Sequence, residues 1–204
     1  MKQSLFLLCL LGLLAACNGL LPKAREPDRL FVLNAPAIEA AGGTPAAQSL
    51  EIMLPQAASG LASDRIALLK DTHELDYFAG ARWADSLPAM TQSLMVETFE
   101  KRGSIKTVGN DVIGLAPTLR LVVELRSFQA VYGNGMTSAP DIRINMVAKL
   151  FREPGHRLLS SKSYEESAKA SSNQMAAIIP AFDEAFGKAT HALVEDVSSS
   201  AVKP

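Results

Sequence analysis

The chain has 204 residues, enough for one domain with a sizeable core. Its formal net charge of -1 supplies no global field to recruit nucleic acid, and aromatic residues, at 6%, are too sparse for a base-stacking surface. Hydrophobic residues make up 48%, a share raised by an apolar run near the N-terminus.

That run belongs to a targeting segment. Lys2 is a short positive region, and Leu5–Leu14 is apolar but short for a membrane span. Leu14-Ala15-Ala16-Cys17 follows and resembles the bacterial lipobox, in which small residues fit the signal peptidase and the cysteine thiol receives a diacylglycerol. Residues 1–16 therefore read as a lipoprotein signal peptide, with Cys17 as the lipidation site. Cys9 lies in the removed segment, so Cys17 would be the sole cysteine left and no intramolecular disulfide could form. Asn18, in place of an aspartate, resembles the outer-membrane sorting signal of enterobacterial lipoproteins.

Residues 17–29 form the lipidated tether, with two prolines, mixed charge and no periodic pattern. Leu30–Leu33 reads as a first strand, and Ala35–Gln48, rich in Ala, Gly and Pro, as a loop. Leu50, Ile52 and Leu54 alternate in a second strand that Pro55 stops. Ser63–Lys70 and Glu74–Phe78 are strand-like and flank Asp71-Thr72-His73, a hairpin connection. Polar Ala79–Arg82 then leads to Trp83, the only tryptophan.

Leu87–Arg102 has the spacing of an amphipathic helix, with Leu87, Met90, Leu94 and Phe99 on one stripe widened by Met95 and Val96. Pro88 suits its first turn, and Gly103 its end. Ile105–Val108 is a short strand, and Gly109-Asn110-Asp111 a turn. The strongest β-signal follows: Leu119, Leu121, Val123 and Leu125 alternate with Arg120, Val122, Glu124 and Arg126. Ile142, Ile144, Met146, Ala148 and Leu150 share one face of a second long strand. Glu153-Pro154-Gly155 turns the chain into a third strand over about His156–Tyr164. Asn173–Val197 is the second long helix, interrupted or kinked at Pro180, and residues 198–204 read as a frayed, disordered tail.

The segments Leu61-Ala62-Ser63-Asp64-Arg65-Ile66, Leu75-Asp76-Tyr77 and Arg82-Trp83-Ala84-Asp85-Ser86-Leu87 together resemble the signature of the ABC-type transport auxiliary lipoproteins. That family pairs an aspartate–arginine before a strand with an Arg-Trp-Ala-acid-x-Leu start to a helix; Ser86 stands where proline is common. The resemblance implies a partner of MCE-domain lipid transport systems, anchored in the outer membrane.

Catalytic chemistry finds no foothold. His73, His156 and His191 show no metal-ligand spacing, and no second cysteine would remain to help them. His73, Glu74 and Asp76 fit a solvated turn better than a cation site. Gly133-Asn134-Gly135 lies between two strands, where Asn-Gly is hairpin chemistry rather than a phosphate loop. No Gly-x-Ser-x-Gly is present.

Trp83 has two readings, a core residue filling the gap between helix and sheet or part of a surface that meets a protein or lipid; its size favours the core. Arg65 and Asp85 are expected to be structural, paired across the same corner. Tyr77 and Phe78 should face opposite sides of one strand. The Tyr132–Pro140 loop, with Tyr132 and Met136 as its apolar side chains, is the expected partner contact.

The expected fold is α+β: a single domain over residues 30–197, a mostly antiparallel mixed sheet with both long helices on one face. The expected function is that of a non-enzymatic lipoprotein with no cofactor or metal beyond the acyl groups on Cys17. It would face the periplasm from the outer membrane, touch an MCE-domain protein and an ABC transporter complex, and bind no nucleic acid; a homo-oligomer stays open. The alternative is a carrier that shields a lipid inside its own fold.

Overall fold

The computed structural model describes residues 26–71, 73–110, 116–133 and 135–202. The signal segment and Cys17 lie outside them, as does part of the expected turn at 109–111. Its longest strand, β7 (Leu119–Tyr132), organises the sheet. One edge of β7 pairs along nearly its whole length with antiparallel β8 (Asp141–Arg152), and β8 pairs with antiparallel β9 (Arg157–Lys169). The other edge takes three short strands end to end, all parallel to β7. These are β2 (Ala46–Ile52) against 119–121, β3 (Gln56–Ala57) against 124–125, and β4 (Arg65–Lys70) against 130–132.

The sheet thus forks. Beyond β2 lies parallel β6 (Ile105–Gly109); beyond β4 lies antiparallel β5 (Glu74–Trp83), which carries parallel β1 (Arg29–Phe31). The result is an open, mixed, nine-stranded sheet whose longest ladders are antiparallel.

Alternation explains the long ladders. Leu119, Leu121, Val123 and Leu125 are buried, and Leu121, Val123 and Leu125 oppose buried Leu150, Ala148 and Met146 on β8. A bulge between Leu125 and Ser127 then inserts one residue, so the core face passes to Phe128, Ala130 and Tyr132.

Helices α1 (Leu87–Arg102) and α2 (Met175–Val202) cover that face. Leu87, Met90, Leu94, Met95 and Phe99 are buried as their spacing predicts. Gly103 ends α1 in the left-handed region at φ 64, and its N–H donates to Phe99 O at 3.0 Å. Helix α2 buries Ile178, Phe182, Phe186, Ala189, Leu193 and Val197 and continues unbroken past Pro180. Between helices and sheet, Trp83, Phe128, Phe182 and Phe186 form one aromatic cluster.

Several expectations need correction. The tail expected from Ser198 is helical to Val202, because Ser198 and Ala201 are buried against the rest of the domain. Strand β5 runs through Ala79–Arg82 to Trp83, and β9 reaches Lys169. Leu54 lies past the end of β2 and is exposed. Arg65 stacks over the Tyr77 ring at 3.4 Å from its centroid, while the Asp85 carboxylate accepts the Ser86 N–H at 2.6 Å, so the two do not pair. Tyr77 and Phe78 are both half-buried against the core.

Candidate functional site

The strand directions give this domain two distinct ends. Strand β7 runs toward Tyr132, so β4, parallel to it, ends at the Asp71–His73 turn, and β5 runs back from that turn to Trp83. Because β1 is parallel to β5, residues 26–28 enter it from the side of that turn.

A three-residue clamp fixes the point where the tether joins. Arg82, on the face of β5 opposite the core, donates from Nη1 to Asp64 Oδ1 at 2.8 Å and from Nε to Asp28 Oδ2. The Asp28 carboxylate first, and Asp64 second, hold the guanidinium above its ordinary pKa. The near end of the domain comprises the Asp71–His73 turn, the loop after Tyr132 and the start of α2. Asn173 ties the last two together. Tyr132 Oη donates to Asn173 Oδ1 at 2.5 Å, and Asn173 Nδ2 donates to Met136 O at 2.6 Å.

At the far end, both helices terminate. There a cleft of about 650 Å³ opens between the 41–48 segment, residues 102–104 and the last turns of α2. Several backbone and side-chain bonds build it. Ala41 N–H donates to Arg102 O at 2.7 Å, and Ala46 N–H to Ser104 O at 2.8 Å. Arg102 donates from Nη1 to Glu39 O at 2.8 Å and from Nη2 to Glu195 Oε2 at 3.0 Å. The Ser104 and Ser198 hydroxyls share a hydrogen bond of 2.6 Å. Gly43, at φ 95, allows the turn that closes the segment over the helix ends.

Gln48 and Arg102 line this cleft; Gln48 Oε1 and Arg102 Nε are buried beneath its surface with no hydrogen-bond partner among the described residues, although buried polar groups are normally satisfied. The cleft offers an amide, a guanidinium, a carboxylate and hydroxyls, with no histidine or cysteine among its lining residues. That is a hydrogen-bonding surface, not a nucleophile with its base. Among the described residues, no three His, Cys, Asp or Glu come together to hold a metal ion, and no helix is long and apolar enough to cross a membrane.

The sequence-predicted contact residues separate. Trp83 is 1% exposed and meets Phe128 and Phe182, so it is core and cannot touch a partner. Tyr132 is 2% exposed; the bulge in β7 turns its ring inward against Phe78, with centroids 6.3 Å apart, and burial pushes its phenol pKa up. Met136 is 40% exposed and stands at the near end. Cys17 lies outside the described residues. Sequence reasoning missed the far cleft. Lys101-Arg102-Gly103 marks a helix end, but nothing in the sequence joins it to residues 41–48 and 195–201.

The comparisons with known proteins agree with this architecture. A crystal structure of protein XCC0632 from Xanthomonas campestris superposes with a TM-score of 0.76 at 25% identity, covering 84% of this chain and 95% of that one. The protein CT253 from Chlamydia trachomatis shares the fold at a TM-score of 0.52 and 8% identity, over 77% of this chain and 99% of that one. An uncharacterized protein of Bradyrhizobium diazoefficiens, bll6063, is 27% identical over 147 residues, 72% of this chain. The match spans only 38% of that relative's length. Residues 31–194 match the family described as the ABC-type transport auxiliary lipoprotein component, and the chain belongs to that family.

Proposed function

We propose that this protein is acylated on Cys17, sits in the outer membrane facing the periplasm, and serves an ABC-type lipid transport system by docking an MCE-domain protein. The family supplies the transport role and the lipoprotein class. The observation that carries the docking reading is the polarity of the domain. The tether joins on the side of one end, and the cleft lined by Gln48, Arg102, Glu195 and hydroxyl side chains opens at the other. A partner reaching out from the transporter meets that far end first.

The interior argues against the lipid-carrier alternative. The space between helices and sheet, where a carrier would hold its cargo, is filled by Trp83, Phe128, Phe182 and Phe186, with ring centroids 5.3–6.2 Å apart. A photo-crosslinking residue at Thr44 or Ser199, both lining the cleft, tests the docking reading in cells. The expected adduct, identified by mass spectrometry, contains an MCE-domain protein. Stoichiometric lipid in native mass spectra, without that adduct, would replace docking with carriage.

A further inference from the structure

The near end of the domain carries two exposed apolar side chains, Leu75 at 43% and Met136 at 40%. Leu75 opens β5 just after the Asp71–His73 turn, and Met136 projects from a loop held by Asn173. Singly exposed apolar side chains are ordinary, and Leu30, Val32, Leu54 and Leu158 are more exposed still, but Leu75 and Met136 stand on the side from which the chain enters β1. We propose that this end rests on the lipid bilayer that holds the acyl chains, with Leu75 and Met136 as its apolar contacts. The proposal rests on the acylation of Cys17 in the reading above.

The geometry of the tether selects the occupant. Arg29 pairs with Ala81, Arg82 with Arg65, and Leu68 of the same strand with Ala130. These registers set Asp28 at about the level of Phe128 in β7. From that level Tyr132 is four residues on, roughly 13 Å at the rise of a strand. In the other direction lie nine residues back to Leu119, which pairs with Leu50, and four more to Ala46 at the cleft. That distance is roughly 43 Å.

Eleven residue steps separate Cys17 from Asp28, and they reach at most about 40 Å fully extended. It can bring the near end onto the bilayer with slack. Standing the domain on the bilayer cleft-down would take the whole of that reach, with every residue stretched back along the domain. The Arg82–Asp28 ion pair and the pairing of β1 on β5 oppose peeling β1 away to gain length.

Short apolar side chains at a rim add modest affinity beyond the acyl chains; their effect is to set orientation. Leu75 and Met136 at the lipid surface would point the cleft away from it, toward whatever the transporter presents.

Site-directed spin labelling tests the orientation. The acylated full-length mature protein carries no other free thiol, so single cysteines at Met136→Cys, Leu75→Cys and Ser199→Cys can be labelled cleanly. Each is reconstituted into vesicles of phosphatidylethanolamine and phosphatidylglycerol, after its thermal midpoint is matched to the wild type. The labels at 136 and 75 should show a several-fold rise in collision with oxygen over a water-soluble relaxant, and the label at 199 none. An acylated protein in which both near-end labels ignore the vesicles, or in which only the 199 label responds, overturns the proposal and leaves the anchor standing. An unmodified Cys17 in the intact mass, with labelling at that thiol, removes the anchor and the proposal together.

Discussion

The Trp83 indole meets the Phe182 ring edge to face, at 88° and 5.3 Å between centroids, and so fastens the end of β5 to the N-terminal third of α2. Phe128 stacks on Phe182 at 5.5 Å and completes the contact from β7. These aromatic pairs add to the burial of large side chains. Trp83→Ala should cost about 3–5 kcal/mol in urea unfolding, and Trp83→Phe clearly less. A loss under about 1 kcal/mol would show that the cluster does not hold the two layers together.

Strand faces should differ in their sensitivity. Leu121→Ala and Ile144→Ala remove buried side chains and should cost about 2–5 kcal/mol each. Arg143 faces solvent, so Arg143→Ala should cost under about 1 kcal/mol. Arg120 shares the solvent-side position by alternation, yet it donates to Glu51 at 2.8 Å and lies 3.1 Å from Glu153, whose side chain is 10% exposed. Arg120→Ala leaves the Glu153 carboxylate with only His156 Nδ1, at 2.9 Å, as its neighbouring nitrogen and should cost about 1–3 kcal/mol. Equal costs for Arg120 and Arg143 would remove the network from the account.

Alkali should loosen the α2–β9 contact. Burial first, and the hydrogen bond to Asp196 second, raise the pKa of the Tyr164 phenol well above its ordinary value. The unfolded phenol ionises near pH 10 while the folded one keeps its proton. The contribution of Tyr164 to stability is therefore complete below about pH 10 and is lost as pH rises toward the folded pKa. Thermal midpoints should fall over that range, and Tyr164→Phe should flatten the fall. An unchanged alkaline slope in that variant would assign the effect elsewhere.

Breaking the clamp should free the tether without unfolding the domain. Arg82→Ala leaves Asp28 and Asp64 without their shared cation. Amide exchange around Asp28–Phe31 should accelerate about tenfold or more, while exchange in β7 and α2 stays near the wild-type rate. Uniform acceleration across the domain would mean that the clamp is part of the global core.

The end of α2 gives a further test. Deleting residues 198–204 removes buried Ser198 and Ala201 and the Ser198–Ser104 hydrogen bond. The thermal midpoint should fall by several degrees, in proportion to a loss of about 1–3 kcal/mol. A truncated chain as stable as the full one would restore the reading of this segment as a dispensable tail.

Elements whose side chains repeat at one period were legible from the residues alone. Leu119 to Leu125, Ile142 to Leu150 and the stripe from Leu87 to Phe99 each bury the positions their spacing selects, because apolar burial dominates local folding. The Gly103 cap and the Asp71–His73 connection were legible for the same local reason: backbone geometry there is set by neighbouring residues. The family signature around Asp64-Arg65 and Arg82-Trp83 was legible too, and it falls on the corner where Arg82 bonds Asp64 and Trp83 N–H donates to Asp64 O.

Tertiary structure decided what local pattern cannot carry. One inserted residue after Leu125 reverses the faces of β7, so Tyr132, which an unbroken alternation would turn outward with the loop, enters the core. The cleft joins residues 41–48, 102–104 and 195–201, segments brought together only when α2 lies across the sheet beside α1. Ser198 and Ala201 stay helical because that neighbour buries them, although their own composition favours fraying. The sequence by itself determined the two helices, the long strands and the family, though not β3 or the start of β2 at Ala46 within the expected loop. The register shift and the long-range packing alone decided which side chains remain at the surface, because solvent exposure depends on what lies opposite a residue and not on what stands beside it in the chain.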